Sequence, residues 1–385
     1  VAVSRGISGF SIMLSRVFYS LNWFNISPAL VPIGQTFGVN LGETGLLLSS
    51  FLIGAGIFQL PAGVISSRIG AKKTAMTGIF IMSFAVIGCA YSPSFIILVI
   101  LRFGVGVGAA LYFSTAIGIL GELYSAKLTA MIGIYNSSYN IGAGAGIILF
   151  TPIVEIYGWR SDFLISGIAM LIVTVFTFIV LPASKRYTKI EFSALKERIL
   201  NRKIWIVAIG FVGLWALNYT FPEYFSTYAQ SVGIQDYIAG IMGGMILMFG
   251  IVGGVISGLV RKFNVIRISI IASILIGIAV IIIPFTGYYG LWVIIAFEGM
   301  FATLVISLEY AVVARIETDK AYIALSVGLI NSIQIGIGST VPYIFGLIQS
   351  YGYLYSWVFL GLLSIITLVA FLRSSVRKGL DISVA

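Results

Sequence analysis

Histidine is absent from the 385 residues, cysteine occurs once, and charged side chains make up only 9% of the chain. Without histidine there is no metal chemistry to expect. The lone Cys89 sits in an apolar run, forms no internal disulfide and reads as a packing residue. No G-x-x-x-x-G-K-[ST] loop occurs, so ATP use is not expected. No bound cofactor and no enzymatic activity are expected either. Soluble domains carry roughly 25% charged residues, and no soluble core hides a chain that is 59% hydrophobic with a mean hydropathy of +1.08. A cleavable leader is not evident, because the first apolar run is far longer than the core of a signal peptide.

Long hydrophobic runs are what the chain has in abundance. A bilayer core needs about 20 apolar residues per helix, and runs that do not alternate with period two exclude a transmembrane barrel. Twelve spans are drawn at approximately 11–37, 43–66, 74–91, 94–121, 128–154, 160–182, 204–229, 236–260, 267–286, 289–314, 321–349 and 352–372. The net charge of +10 does not indicate nucleic acid, because the cations fall almost entirely on one side of these spans. Arg5, Arg68, Lys72, Lys73, Lys127, the cluster from Lys185 to Lys203, Arg267, Arg315 and Arg373 lie on one side; Arg160 stands alone on the other. The positive-inside rule then places both termini in the cytoplasm of a plasma-membrane protein. Tyr91, Tyr157, Trp159, Tyr228, Tyr288, Trp292 and Tyr351 gather at the opposite ends as interfacial anchors.

The one long polar stretch, 183–203, divides the chain into an N-terminal half (1–182) and a C-terminal half (204–385). Its Leu195 and Ile199 are spaced for a short amphipathic helix on the membrane surface; a solvated connector is the other reading. The halves repeat. GVIS recurs at Gly63 and Gly254, YGWRSDFLISG from Tyr157 parallels YGYLYSWVFLG from Tyr351, and Asn136 matches Asn331, with separations of 191 to 195 residues. Parallel six-span repeats are a transporter architecture, with the solute held between the halves.

The loop after span two matches G-x-x-x-D-R-x-G-R-R at Gly63, Arg68, Gly70, Lys72 and Lys73, with Ser67 in the acidic position. Together with LRFGVGVGAA in span four, GAGAG at 142–146 in span five and WRSDFLISG opening span six, it resembles the major facilitator superfamily over essentially the whole chain. The resemblance implies an all-α fold of twelve helices in two pseudo-symmetric six-helix bundles, working by alternating access. It also implies a conformational role for the loop, although the missing carboxylate removes its usual charge pair. Span five lacks the proline that marks one antiporter subgroup.

Ionisable residues inside spans are costly and default to function. Four stand out: Arg16, Arg102, Glu298 and Glu309. The two glutamates, eleven residues apart on span ten, return to within about 20 degrees and share a face. They and the two arginines come from spans one, four and ten, which line the central cavity in the family. Depth pairs Arg102 with Glu298 and Arg16 with Glu309, each pair joining the halves as alternating ties; the alternative is neutralisation of each arginine within its own half. A buried glutamate is also the candidate proton carrier. Glu223, after Pro222 in span seven, is a third candidate, with an acid at the outer rim as the favoured reading because it lies close to the outer end. Tyr19, Trp23 and Asn22 beside Arg16, with Asn218 near the centre of span seven, complete the candidate solute-contacting set. Pro28 and Pro32 are expected to kink span one and free backbone carbonyls. Asn136, Asn140, Asn331 and Gln334 read equally well as interhelical hydrogen-bonding groups.

The expectation is a monomeric secondary transporter in the lipid bilayer moving a small molecule, with a small organic anion entering with protons as the leading reading. An exporter or uniporter of a neutral or amphiphilic solute, and a non-transporting solute sensor, remain open.

Overall fold

The computed structural model describes residues 4–124, 127–182, 192–260, 263–316 and 323–376. Fifteen α-helices account for nearly all of them. The first bundle holds α1 (Arg5–Phe24), α2 (Ile26–Phe37), α3 (Leu41–Ile69), α4 (Ala71–Ala90), α5 (Phe95–Leu123), α6 (Leu128–Tyr157) and α7 (Trp159–Val180). A short α8 (Phe192–Leu200) follows within the polar connector. The second bundle holds α9 (Arg202–Ser231), α10 (Asp236–Val260), α11 (Val265–Ile281), α12 (Tyr288–Ile316), α13 (Ile323–Gly338), α14 (Val341–Gln349) and α15 (Tyr353–Val376).

Eight of these helices, α3 to α7, α9, α10 and α12, are each long and apolar enough to cross a bilayer. The other four crossings are α1 with α2, α11, α13 with α14, and α15, giving the twelve-span fold. Two spans read as continuous from the sequence are therefore broken, and proline explains both. Pro28 has no N–H for the carbonyl of Phe24, where α1 ends, and Pro342 has none for that of Gly338, where α13 ends.

Local signals set other boundaries. Asn40 and Glu43 form a capping box at the start of α3, with the Glu43 amide donating to Asn40 Oδ1 at 2.9 Å and the Asn40 amide to Glu43 Oε2 at 2.7 Å. Gly70, at φ +95°, turns α3 directly into α4, which is why the loop motif needs glycine there. Within the first bundle, Gly108 of α5 meets Gly78 of α4 backbone to backbone. Gly104, by contrast, faces open space apart from the Ala85 Cβ, so the close approach runs through Gly108.

The bundles lean together at the face opposite the termini. Gly144 of α6 and Gly244 of α10 touch through their backbones, and Thr151 packs on Gly240. Gly42 of α3 abuts Leu347 of α14, and Ser332 of α13 donates to the Gly56 carbonyl at 2.6 Å. Ser27 of α2 donates to the Glu223 carbonyl of α9 at 2.7 Å. All these contacts lie between mid-membrane and the opposite face. Just outside them is a recess of about 510 Å³ lined in part by Gln35, Thr44, Gln230, Ser231, Gln349 and Tyr353.

Candidate functional site

Arg16 projects from α1 into a cage of rings. Its guanidinium carbon lies 4.3 Å from the Tyr19 ring centre, 4.6 Å from Tyr139, 4.7 Å from Tyr135 and 4.9 Å from Phe113. Stacking on aromatic faces suits a planar, weakly hydrated cation. The side chain is 4% exposed, yet its Nε and Nη1 have no hydrogen-bond partner. Trp23, two turns along α1 from Arg16, packs edge-on against Tyr19 at 6.3 Å and in a tilted arrangement against Phe51 at 4.7 Å.

Across from this cage stands a polar cluster of the second bundle. Glu309 accepts from Trp215 Nε1 at 2.8 Å and from Gln334 Nε2, joining α12 to α9 and α13. The next residue, Tyr310, shares hydrogen bonds with Asn331 and lies within Coulombic range of both Glu309 and Arg16. Asn218 is half-buried on α9. Glu298 is fully buried and neither carboxylate oxygen has a hydrogen-bond partner.

Neither expected tie is closed in this conformation. The single ion pair within 4.0 Å among the described residues is Arg198 with Glu197 in the connector helix, at 3.3 Å. Arg102 is engaged inside its own bundle, where Nη1 donates to the Asn22 carbonyl at 3.1 Å and Nη2 to that of Trp23 at 3.2 Å. A cation is well placed there, because the last turn of a helix presents carbonyls and a partial negative charge. Asn22 also turns away from the cage, its amide donating to the Phe18 carbonyl at 2.8 Å and toward the Ser166 carbonyl of α7.

Two further acids are buried. Glu223 is not at an exposed rim: it is 2% exposed, and both its carboxylate oxygens lack partners. α2 packs on α9 at this level, with Ser27 donating to the Glu223 backbone carbonyl. Asp162, carried by WRSDFLISG but not singled out, is fully buried and accepts from Asn25 Nδ2 at 2.9 Å, with Asn25 also donating to Ser166. The signal for it was an acid near the start of an otherwise apolar span.

The loop motif is spread over several roles. Gly70 makes the turn, Gly63 is half-buried, Arg68 and Lys73 are exposed, and Lys72 reaches back to the Leu181 carbonyl at the end of α7 while lying over the Phe178 ring at 5.4 Å. Residues 183–191 and much of the basic C-terminal segment lie outside the described residues. Leu195 and Ile199 do fall in a helix, α8.

This arrangement, two six-helix bundles with buried charges between and within them, is matched by a family model described as Major Facilitator Superfamily over residues 12–341. The chain belongs to that superfamily. Its members are multi-pass membrane transporters and not enzymes. The chain is 22% identical over 278 residues to the probable L-galactonate transporter of Escherichia coli strain K12, a match covering 66% of this chain and 61% of that one. It is 26% identical to the probable nitrate transporter of Staphylococcus haemolyticus, covering 73% and 74%. It is 30% identical over 182 residues to the 4-hydroxybenzoate transporter of Acinetobacter baylyi, covering 46% and 39%. The match to the first of these thus spans less than two thirds of that protein's length. Among solved structures, a bacterial homolog of the human lysosomal transporter Spinster, in an inward-facing and occupied conformation, superposes with a TM-score of 0.80 at 16% identity over 99% of this chain and 98% of that one. At that identity the likeness is one of fold.

Proposed function

We propose that this transporter takes up a small organic anion by alternating access, coupled to protons, with Arg16 as the anion-binding group. The observation that carries this reading is a buried guanidinium with two unpaired polar atoms and no carboxylate within 4.0 Å. A charge left alone in a low-dielectric site costs several kcal/mol, and an entering carboxylate supplies the missing partner through the planar guanidinium edge. The rings of Tyr19, Tyr135, Tyr139 and Phe113 hold that group in place. Glu309 and Glu298 are the candidate proton carriers.

Three features support the wider picture. The relatives named above are described as transporters of galactonate, nitrate and hydroxybenzoate, all anions. The basic residues flank the spans on the side of the termini, which favours cytoplasmic termini in a plasma membrane and makes the present conformation inward-facing. The connector at 183–203 is the proposed boundary between moving halves at 1–182 and 204–385.

Uptake of labelled monocarboxylates and nitrate into proteoliposomes, with and without an imposed pH gradient, tests the proposal. Accumulation that follows the gradient and is lost in Arg16→Gln is the expected result. Flux indifferent to pH removes proton coupling, uptake of neutral sugars alone removes the anion, and binding by folded protein without any flux favours a sensor.

A further inference from the structure

Glu223 is the buried acid that the anion site does not use. It sits on α9 one turn from Tyr219, beneath α2 of the other bundle, at the seam where the bundles meet opposite the termini. Ser27 reaches across the seam, but to the Glu223 backbone carbonyl and not to its carboxylate. Both carboxylate oxygens are buried without a donor.

The surrounding charges do not compensate it. Arg102 of α5 lies within Coulombic range of both Glu223 and Asp162, so one cation faces two acids. Both terminal nitrogens of that arginine are already donating to carbonyls of α1. Asp162 belongs to the same bundle as Arg102 and accepts a hydrogen bond from Asn25, so it has the better claim on the positive charge. Glu223 is the surplus acid. The other ionisable groups around it are phenols: Tyr139 of α6 and Tyr224 of α9 lie within Coulombic range. Of the helices packed on α9, α2 and α13 carry no ionisable side chain, and α14 and α15 bring Tyr343 and Tyr353 to this end. Asp236 and Tyr237 start α10, Tyr288 and Tyr289 start α12, which also carries Glu298 and Glu309, and Tyr355 follows Tyr353 on α15. The cations of these helices, Arg202 and Lys203 of α9, Arg315 of α12, Arg373 of α15 and those of α8, belong to the ends on the side of the termini, so none supplies a second positive charge beside Glu223.

We propose that Glu223 binds a proton when the bundles close opposite the termini and releases it to solution on that face when they part, making this seam a proton-operated gate separate from the Arg16 site. The reaction is a carboxylate taking up one proton with no other bond made or broken. In the closed form the neutral carboxyl is the species that burial without donors tolerates. In the open form water solvates the carboxylate. Acid on that face therefore favours closure and alkali favours opening, by simple linkage. The proton returns to the side it came from, so the gate senses pH without itself carrying coupled protons across.

The inference rests on the alternating-access reading, and the test separates the two. Leu30, fully buried on α2 beside the seam, is replaced by cysteine in a Cys89→Ala background, and its reaction with a membrane-impermeant maleimide is followed in proteoliposomes as external pH is varied. Tyr351→Cys in the same background, at an exposed position on that face, corrects for ionisation of the thiol. The corrected Leu30→Cys rate is expected to rise with pH by up to about tenfold per unit, the limit for one linked proton. Adding Glu223→Gln is expected to leave the corrected rate slow and flat with pH. Glu223→Asp, which keeps an ionisable group on a shorter stem, is expected to keep the slope and move its midpoint. A flat profile in the parent, an unchanged slope in Glu223→Gln or an unmoved midpoint in Glu223→Asp overturns the gate while leaving alternating access intact. A Leu30→Cys that never reacts at any pH overturns both.

Discussion

Arg102 on α5 and Trp23 on α1 are joined by a 3.2 Å hydrogen bond from Nη2 to a backbone carbonyl, and Nη1 makes the matching bond to Asn22 at 3.1 Å. One guanidinium thereby closes the end of a helix that proline has cut short. The four intramembrane charges singled out from the sequence thus separate into different duties. Arg102, through both terminal nitrogens though not Nε, and Glu309, through both oxygens, are engaged within their own bundles, whereas Arg16 Nε and Nη1 and both oxygens of Glu298 are unmet.

Arg102→Ala should destabilise the protein. Each hydrogen bond from a charged donor is worth about 1.5–3 kcal/mol, so loss of both is expected to cost about 3 kcal/mol or more, and Arg102→Lys, with a single point charge, should fall between. Thermal unfolding of the purified protein in detergent reads this directly. Unchanged thermal stability with lost transport would assign Arg102 to solute handling instead.

Arg16→Gln should behave in the opposite way. Removing a buried charge that has no ion-pair partner is neutral or stabilising, while anion uptake should drop by about 100-fold, the equivalent of roughly 2.7 kcal/mol of charge-assisted hydrogen bonding. Arg16→Lys should retain a fraction of uptake. The same unfolding and uptake measurements, made side by side with Arg102→Ala, distinguish a ligand group from a helix cap.

The GAGAG segment of α6 offers a contrast two residues apart. Gly142 and Gly146 face the backbone of α1 within their bundle, but Gly144 faces Gly244 and Met248 of α10 across the seam. Gly146→Leu should therefore lower the yield of folded protein. Gly144→Leu should fold and fail to close, so that Leu30→Cys reacts rapidly even in acid. Slow labelling in a folded, active Gly144→Leu protein would show that the α6–α10 contact does not control closure.

Glu309→Gln keeps the acceptor for the Trp215 indole and removes the ionisable group. Counterflow exchange of an anion should persist while accumulation driven by a pH gradient disappears. If accumulation survives, Glu298 becomes the group to replace next.

Much of this architecture was legible because lipid enforces it. A helix in a bilayer must be apolar for about 20 residues, so the spans could be counted, and the Gly63–Lys73 motif marked the turn that Gly70 makes. Pro28 signalled a kink, but not that α1 would end at Phe24 or that Arg102 would occupy the freed end. The rim reading of Glu223, preferred over a proton carrier, failed for a related reason: distance along α9 from the membrane edge says nothing of α2 packing beside it. Asp162 was passed over because its hydrogen-bond partner Asn25 and the nearby charge of Arg102 are 137 and 60 positions away in the chain.

Residence in a membrane, construction from repeated helical halves, and the identity of the charges costly enough to matter could all be read along the chain. Those properties are local or periodic, set by hydrophobic length and repeat spacing. Which of those charges are met by hydrogen-bond partners and which are not emerged from helix packing. That depends on where helices distant in sequence bring their donors, and a low-dielectric interior magnifies the difference between a carbonyl met at 3 Å and an empty space.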